Sequence, residues 1–197
     1  MSAAGTDAVP DAADYVTRAA DAADAADAAD AGRTDAARVA AQLGRAPRSP
    51  WRVAVRCRWN RPAVIVSPST LVDGTPFPNL AWLTCPWLAE AVAAEESAGG
   101  AAAYARRAAE GPAFAAALTA ADAAVRDRRA AESGGRDACA TVGIAGQRDP
   151  LGVKCLHAHV ALALLGVVDP VGEDVLSGVQ RWCDDDRCAG LGSEGSE

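Results

Sequence analysis

The chain has 197 residues, half of them nominally hydrophobic, and a formal net charge of −7, a length that carries one domain with a full core. Residues 1–32 hold seven aspartates against one arginine, a net of −6, so the remainder is close to neutral. That remainder has no basic stripe of the kind phosphate-backbone binding needs, which excludes nucleic acid as an expected partner.

The N-terminus has neither a positive segment nor an apolar run, so no secretory leader is expected. The longest strongly apolar stretch, Val160 to Val168, is too short to span a bilayer. A cytoplasmic protein is the resulting expectation. In that compartment the six cysteines should stay reduced, as packing residues, metal ligands or a reactive thiol rather than a disulfide framework.

Residues 1–34 contain the repeat Asp21-Ala-Ala, Asp24-Ala-Ala, Asp27-Ala-Ala, Asp30-Ala. A three-residue period winds the aspartates around a 3.6-residue helix and leaves no apolar face. A disordered acidic tail is predicted, with a protein partner as its one candidate role. A single globular domain is expected over 35–190 and a disordered end over 191–197. Thr34-Asp35 can cap a helix running to Gln42-Leu43, closed by Gly44. Trp51 to Cys57 alternates apolar and polar residues and Pro62 to Ser67 is β-branched. With Arg58-Trp59-Asn60-Arg61 as turn, they predict a β-hairpin.

Pro68 to Pro86 is dense in turn formers, and its prolines with Phe77 and Trp82 imply a rigid, anchored loop. Cys85-Pro86 should open a helix reaching Ser97 with Leu88 and Val92 on one face. A thiol at that position sees the positive end of the helix dipole, so Cys85 is expected to be the activated thiolate. Residues 101–132 predict further helix, interrupted at Gly111-Pro112. Phe114, Leu118, Ala121 and Val125 form its core stripe, and Arg126 to Arg129 its solvated end. A loop follows from Gly134 to Gly146. Asp149-Pro150 predicts the N-cap and first position of a central helix, and Asp169-Pro170 precedes a last amphipathic helix through Val171, Val175, Val179 and Trp182. It runs into Cys183-Asp-Asp-Asp-Arg-Cys188, and the final glycine, serine and glutamate residues are expected to fray. The fold class is α+β, predominantly helical, with the hairpin and rigid loop packed on about five helices.

The densest chemistry lies in Val153-Lys154-Cys155-Leu156-His157-Ala158-His159, which holds both histidines and the only lysine of the chain. The apolar run that follows places it against a core, where unpaired polar groups are costly.

Several stretches occur in a fixed order: Ala41-Gln42-Leu43-Gly44-Arg45, Arg56-Cys57, Asp73-Gly-Thr-Pro-Phe-Pro78, Trp82-Leu-Thr-Cys-Pro86, Val153 to His159, and Pro170-Val-Gly172. Together they resemble the largely actinobacterial family known as domain of unknown function 501, over roughly residues 35–188. The resemblance implies no reaction. It does imply an association with cell division, since the family's genes often stand beside those for a septum-formation initiator and an exopolyphosphatase. The chain departs from the family pattern at Asn60, where glycine is common, at Leu162, where a histidine is common, and at Asp169, where asparagine is usual.

Three readings of the central cluster follow. In the first, Cys85, Cys155, His157 and His159 hold zinc, which favours thiolate and imidazole, with Cys57, Cys183 and Cys188 as alternative ligands. On a regular helix His157 points about 200° away from Cys155, so joint ligation requires an irregular first turn. In the second, a metal-free thiol enzyme uses Cys85 as nucleophile, His157 or His159 as base, Lys154 as anion clamp and Asp73 as general acid or base. In the third, the polar residues form a buried structural network in an interaction module. All three expect Lys154 or His157 to reach the Asp73–Pro86 loop, with Asp73 as the partner.

Overall fold

The computed structural model describes residues 34–192. The tail expected over 1–34 lies outside the described residues except for Thr34, and so does the end expected over 191–197 from residue 193 onward. Among the described residues six helices surround a three-stranded antiparallel sheet, an α+β fold dominated by helix.

Helix α1 (34–43) is closed by Gly44 at φ 69°, the left-handed conformation that glycine adopts without strain. The hairpin follows as β1 (Arg52–Arg56) and β2 (Pro62–Val66). Asn60 sits in its turn at φ 57°. Asparagine tolerates this conformation better than most side chains do, so the sequence keeps the turn without glycine. β2 is the central strand and is buried along its whole length. This fits an unbroken Pro-Ala-Val-Ile-Val run rather than an alternating one.

The second half of the expected loop is a third strand, β3 (Ala81–Leu83), paired through Val64 with Leu83 and Val66 with Ala81. Three residues between Asn79 and Cys85-Pro86 are too few for a period to show. The first half is an ordered loop. Leu71 N donates to Thr75 O at 2.8 Å and Phe77 N to Ser69 O at 2.8 Å.

Helices α2 (Pro86–Ser97), α3 (Gly100–Glu110) and α4 (Pro112–Glu132) follow, with the break at Gly111. Leu118, Ala121 and Val125 of α4 face the core. Arg129 corrects the expectation of a solvated end, because it is fully buried. Its guanidinium is bonded to Asp137 and donates to the carbonyls of Pro78, Cys139 and Val142 at 3.0, 2.7 and 2.6 Å. One side chain therefore gathers the connection after α4 and the loop before β3 around itself, a placement no local pattern foretells.

The central helix also starts later than expected. Asp149 closes a tight turn, accepting from Leu151 N, and the chain stays non-helical until α5 (Leu156–Leu164), whose N-cap is Cys155. Helix α5 packs on β3, α2 and α6 (Pro170–Gly178). Its Leu156, Val160 and Ala161 are fully buried, the environment an all-apolar helix requires.

Helix α6 ends at Gly178, so Trp182 lies beyond it. The segment after it docks on the hairpin turn. Trp59 Nε1 donates to Cys183 O at 3.0 Å, Arg58 and Arg61 pair with Asp184 and Asp186, and Gln42 Nε2 donates to the Cys188 sulfur. No helix among the described residues is long and apolar enough to cross a membrane.

Candidate metal centre

Where α2 ends and α5 begins, Glu96, Cys155 and His157 bring one ligand atom each within 4.8 Å of one another. Among the described residues no other three cysteine, histidine, aspartate or glutamate side chains meet this way. The late start of α5 makes the meeting possible. Cys155 has an extended backbone, φ −147° and ψ 109°, so its side chain escapes the helical phase that would turn it away from His157. The irregular first turn that joint ligation requires is present.

Each group is oriented by a neighbour. His157 Nε2 lies 3.0 Å from Ala89 O of α2. The carbonyl can only accept, so Nε2 carries a hydrogen and Nδ1 faces the other two groups, 3.3 Å from Glu96 Oε2. Glu96 Oε1 accepts from Leu156 N, the first amide of α5. A carboxylate there meets the positive end of the α5 dipole. A hydrogen bond with Cys155 raises the pKa of His157 most. The Glu96 charge and the Ala89 carbonyl raise it further, against burial, and hold it at about 9. The His157 and Glu96 side chains are 29% and 28% exposed, so the group stands open to solvent on one side.

The other expected site residues lie elsewhere. Cys85 is the N-cap of α2 but is buried, and burial raises its thiol pKa more than the nearby helix amides lower it. The expected activation by the helix dipole is thereby overturned. Burial raises the Cys188 thiol as well. All six cysteines are free. His159 projects into the core, fully buried, with Nδ1 2.8 Å from Asp169 Oδ2.

Lys154 is exposed and makes no hydrogen bond or ion pair among the described residues. Asp73 is exposed and accepts from Thr75 N at 3.0 Å. The pairing of Lys154 or His157 with the Asp73 loop does not form. The burial that would have forced it is absent at Lys154, because α5 begins two residues later. Helix α5 does reach the end of that loop, through Ala158 and Leu162 beside Pro78 to Ala81.

Glu96 was invisible to motif reading, lying some sixty residues from its partners. One physical signal existed. Glu95-Glu96 closes a helix with no basic residue in its last turn, where the dipole opposes negative charge. Such a carboxylate calls for a partner outside its own helix.

The fold and this group define a small α+β protein with a solvent-facing thiol–imidazole–carboxylate triad. The family model described as "Protein of unknown function (DUF501)" matches residues 53–177, and the chain belongs to that family. No curated protein and no solved structure matches it.

Proposed function

We propose that the protein binds one zinc ion at the mouth between α2 and α5 through Cys155 Sγ, His157 Nδ1 and a carboxylate oxygen of Glu96. The observation that carries this reading is the convergence of the three ligand atoms within 4.8 Å. The Ala89 carbonyl adds support by holding the proton on Nε2, so that Nδ1 is the nitrogen that gives up its proton to the ion, a common outer contact of metal-bound histidine. The proposal keeps Cys155 and His157 from the sequence-based ligand set and puts Glu96 in place of Cys85 and His159. Thiolate with imidazole suits zinc and disfavours magnesium and calcium, which select oxygen. Three protein ligands are the number at which zinc sites keep a position for water or substrate, and there the ion would act as a Lewis acid.

The test is elemental analysis of tag-free full-length protein. About one zinc per chain is expected, reduced strongly in Cys155→Ser, His157→Gln and Glu96→Gln but not in Cys85→Ser. Cobalt in its place should give a thiolate charge-transfer band that Cys155→Ser abolishes. Failure to bind zinc or cobalt, or zinc retained by all three variants, would overturn the reading.

A second reading has one observation in its favour. The approach of the Cys155 and His157 ligand atoms to within 4.8 Å is the pairing a metal-free thiol enzyme would use, with Cys155 rather than Cys85 as nucleophile. Alkylation of Cys155 by iodoacetamide in chelator-treated protein, slowed at least tenfold by His157→Gln, would support it.

A further inference from the structure

The rigid loop that the zinc proposal leaves unused borders a cavity of about 500 Å³, between the end of α1, the chain leading to β1 and the Leu71–Phe77 turn. That volume falls in the range of small-molecule sites, about 300–1,000 Å³. Its walls combine carbon surface with two cations. Leu43, Leu71 and Pro76 line it beside Phe77 and Trp82, and Arg45 and Arg48 stand at it. Phe77 and Trp82 stack with centroids 5.6 Å apart and planes 10° from parallel, and the Arg45 guanidinium lies 5.6 Å from the Trp82 centroid. The wall is preformed. Phe77 N is bonded to Ser69 O, Leu71 N to Thr75 O, and Val72 N to Arg48 O.

Neither arginine is spent on a carboxylate, and Arg45 keeps only its contact with the Trp82 ring. Eight of the sixteen arginines among the described residues pair with carboxylates, namely Arg52, Arg56, Arg58, Arg61, Arg107, Arg126, Arg129 and Arg187. Arg45 and Arg48 have no ion pair or side-chain hydrogen bond among the described residues. Arg48 acts through space on Asp73, whose carboxylate is held by Thr75 N. Two free guanidiniums beside a carbon-lined hollow match a ligand with an oxyanion at one end and a flat body at the other, since guanidinium binds phosphate through paired N–H groups and rings stack on aromatic side chains. A bare phosphate would leave most of the hollow empty.

We infer that this cavity binds a small organic phosphate of the mononucleotide type, its phosphate on Arg45 and Arg48 and its ring against Phe77 and Trp82. The site is separate from the Glu96–Cys155–His157 group and does not depend on zinc there.

The test is calorimetric titration of the full chain with AMP and UMP, as a larger and a smaller ring, with adenosine and inorganic phosphate as partial ligands and tryptophan fluorescence as a second readout. At least one nucleotide should bind tenfold or more tightly than either partial ligand, weaken as salt is raised, and quench tryptophan emission. Arg45→Gln and Arg48→Gln, both at exposed positions, should each weaken binding about tenfold at unchanged melting temperature. Glu96→Gln should leave it intact. If neither nucleotide binds at millimolar concentration, the inference is overturned. Equal affinity for AMP and inorganic phosphate, or for AMP and adenosine, or binding indifferent to both arginine substitutions, would do the same.

Discussion

His159 and Asp169 meet in the core with Nδ1 2.8 Å from Oδ2, and neither side chain touches solvent. The other carboxylate oxygen accepts from Val171 N and Gly172 N at 3.0 Å each, capping α6. One aspartate thus orients a ring on α5 and starts the next helix, which ties the two helices in a fixed register.

Removing that carboxylate should cost two contributions at once. Loss of an N-cap is worth about 0.5–2 kcal/mol, and a buried ring nitrogen left without its partner about 1–3 kcal/mol. Asp169→Ala should therefore lose about 1.5–5 kcal/mol in urea unfolding, and Asp169→Asn, which can still cap, distinctly less. A loss in Asp169→Ala below about 1 kcal/mol would mean the pair is not holding the helices.

Gly172 is required by space. A Cβ there would lie 2.2 Å from the His159 carbonyl oxygen, and backbone cannot swing aside. Gly172→Ala should push α6 off α5 and cost more than about 4 kcal/mol, at the extreme of single substitutions. Gly178→Ala, where nothing stands within 4 Å, should change stability by no more than about 0.5 kcal/mol. Equal effects in paired thermal melts would contradict the close helix approach.

Asp137 and the buried Arg129 set the acid limit. Burial pushes the Asp137 carboxyl up, but two bonds from Arg129 and one from the Cys139 amide outweigh it and leave the pKa below its ordinary 3.8. A depressed carboxyl stabilises the fold at every pH above its unfolded value, and that contribution fades as the pH falls through the folded one. Melting temperature should thus hold down to about pH 5 and then decline toward pH 2. Asp137→Asn should melt lower at pH 7, by an amount approaching the roughly 3–5 kcal/mol of a broken buried pair, with a shallower acid decline. An unchanged acid slope in that variant would place the limiting group elsewhere.

The six thiols should separate into two classes. Cys57 and Cys155 are partly exposed, whereas Cys85, Cys139, Cys183 and Cys188 are buried. Burial also raises Cys85, Cys139 and Cys188. A thiol reagent followed by mass spectrometry should label Cys57 and Cys155 first and the other four only on unfolding, and added zinc should protect Cys155 alone. Preferential labelling of Cys85 would restore the activated thiol expected from its place at a helix start.

Periodicity and punctuation made most of the fold legible. The hairpin, the break at Gly111-Pro112, the core stripe of α4 and the Gly44 stop are local consequences of side-chain spacing and backbone preference. What escaped is long-range. β3 is too short to show a period. Arg129 looked like a surface charge because its partners, Asp137 and the carbonyls of the following loop and Pro78, are assembled only by folding. Cys155 and His157 were recognisable from their chemistry. Their partner Glu96 was not, because its proximity depends on how α2 and α5 cross. Asp149-Pro150 carried a sound helix-start pattern that a tight turn used instead, and this displaced the expected phase of every residue up to His159.

The docking of residues 183–192 on the hairpin turn bears on how the protein can be divided. The family match runs from 53 to 177, yet partners of the sheet's turn end lie on both sides of it. Asp35 and Gln42 come before, and Cys183, Asp184, Asp186 and Cys188 after. A fragment trimmed to the matched stretch would leave Arg56, Arg58 and Arg61 without their acids and uncover the edge around Cys57 and Cys85. Contacts of the sheet thus run past the matched stretch on both sides, and expression boundaries are better drawn outside α1 and Gly192 than at 53 and 177.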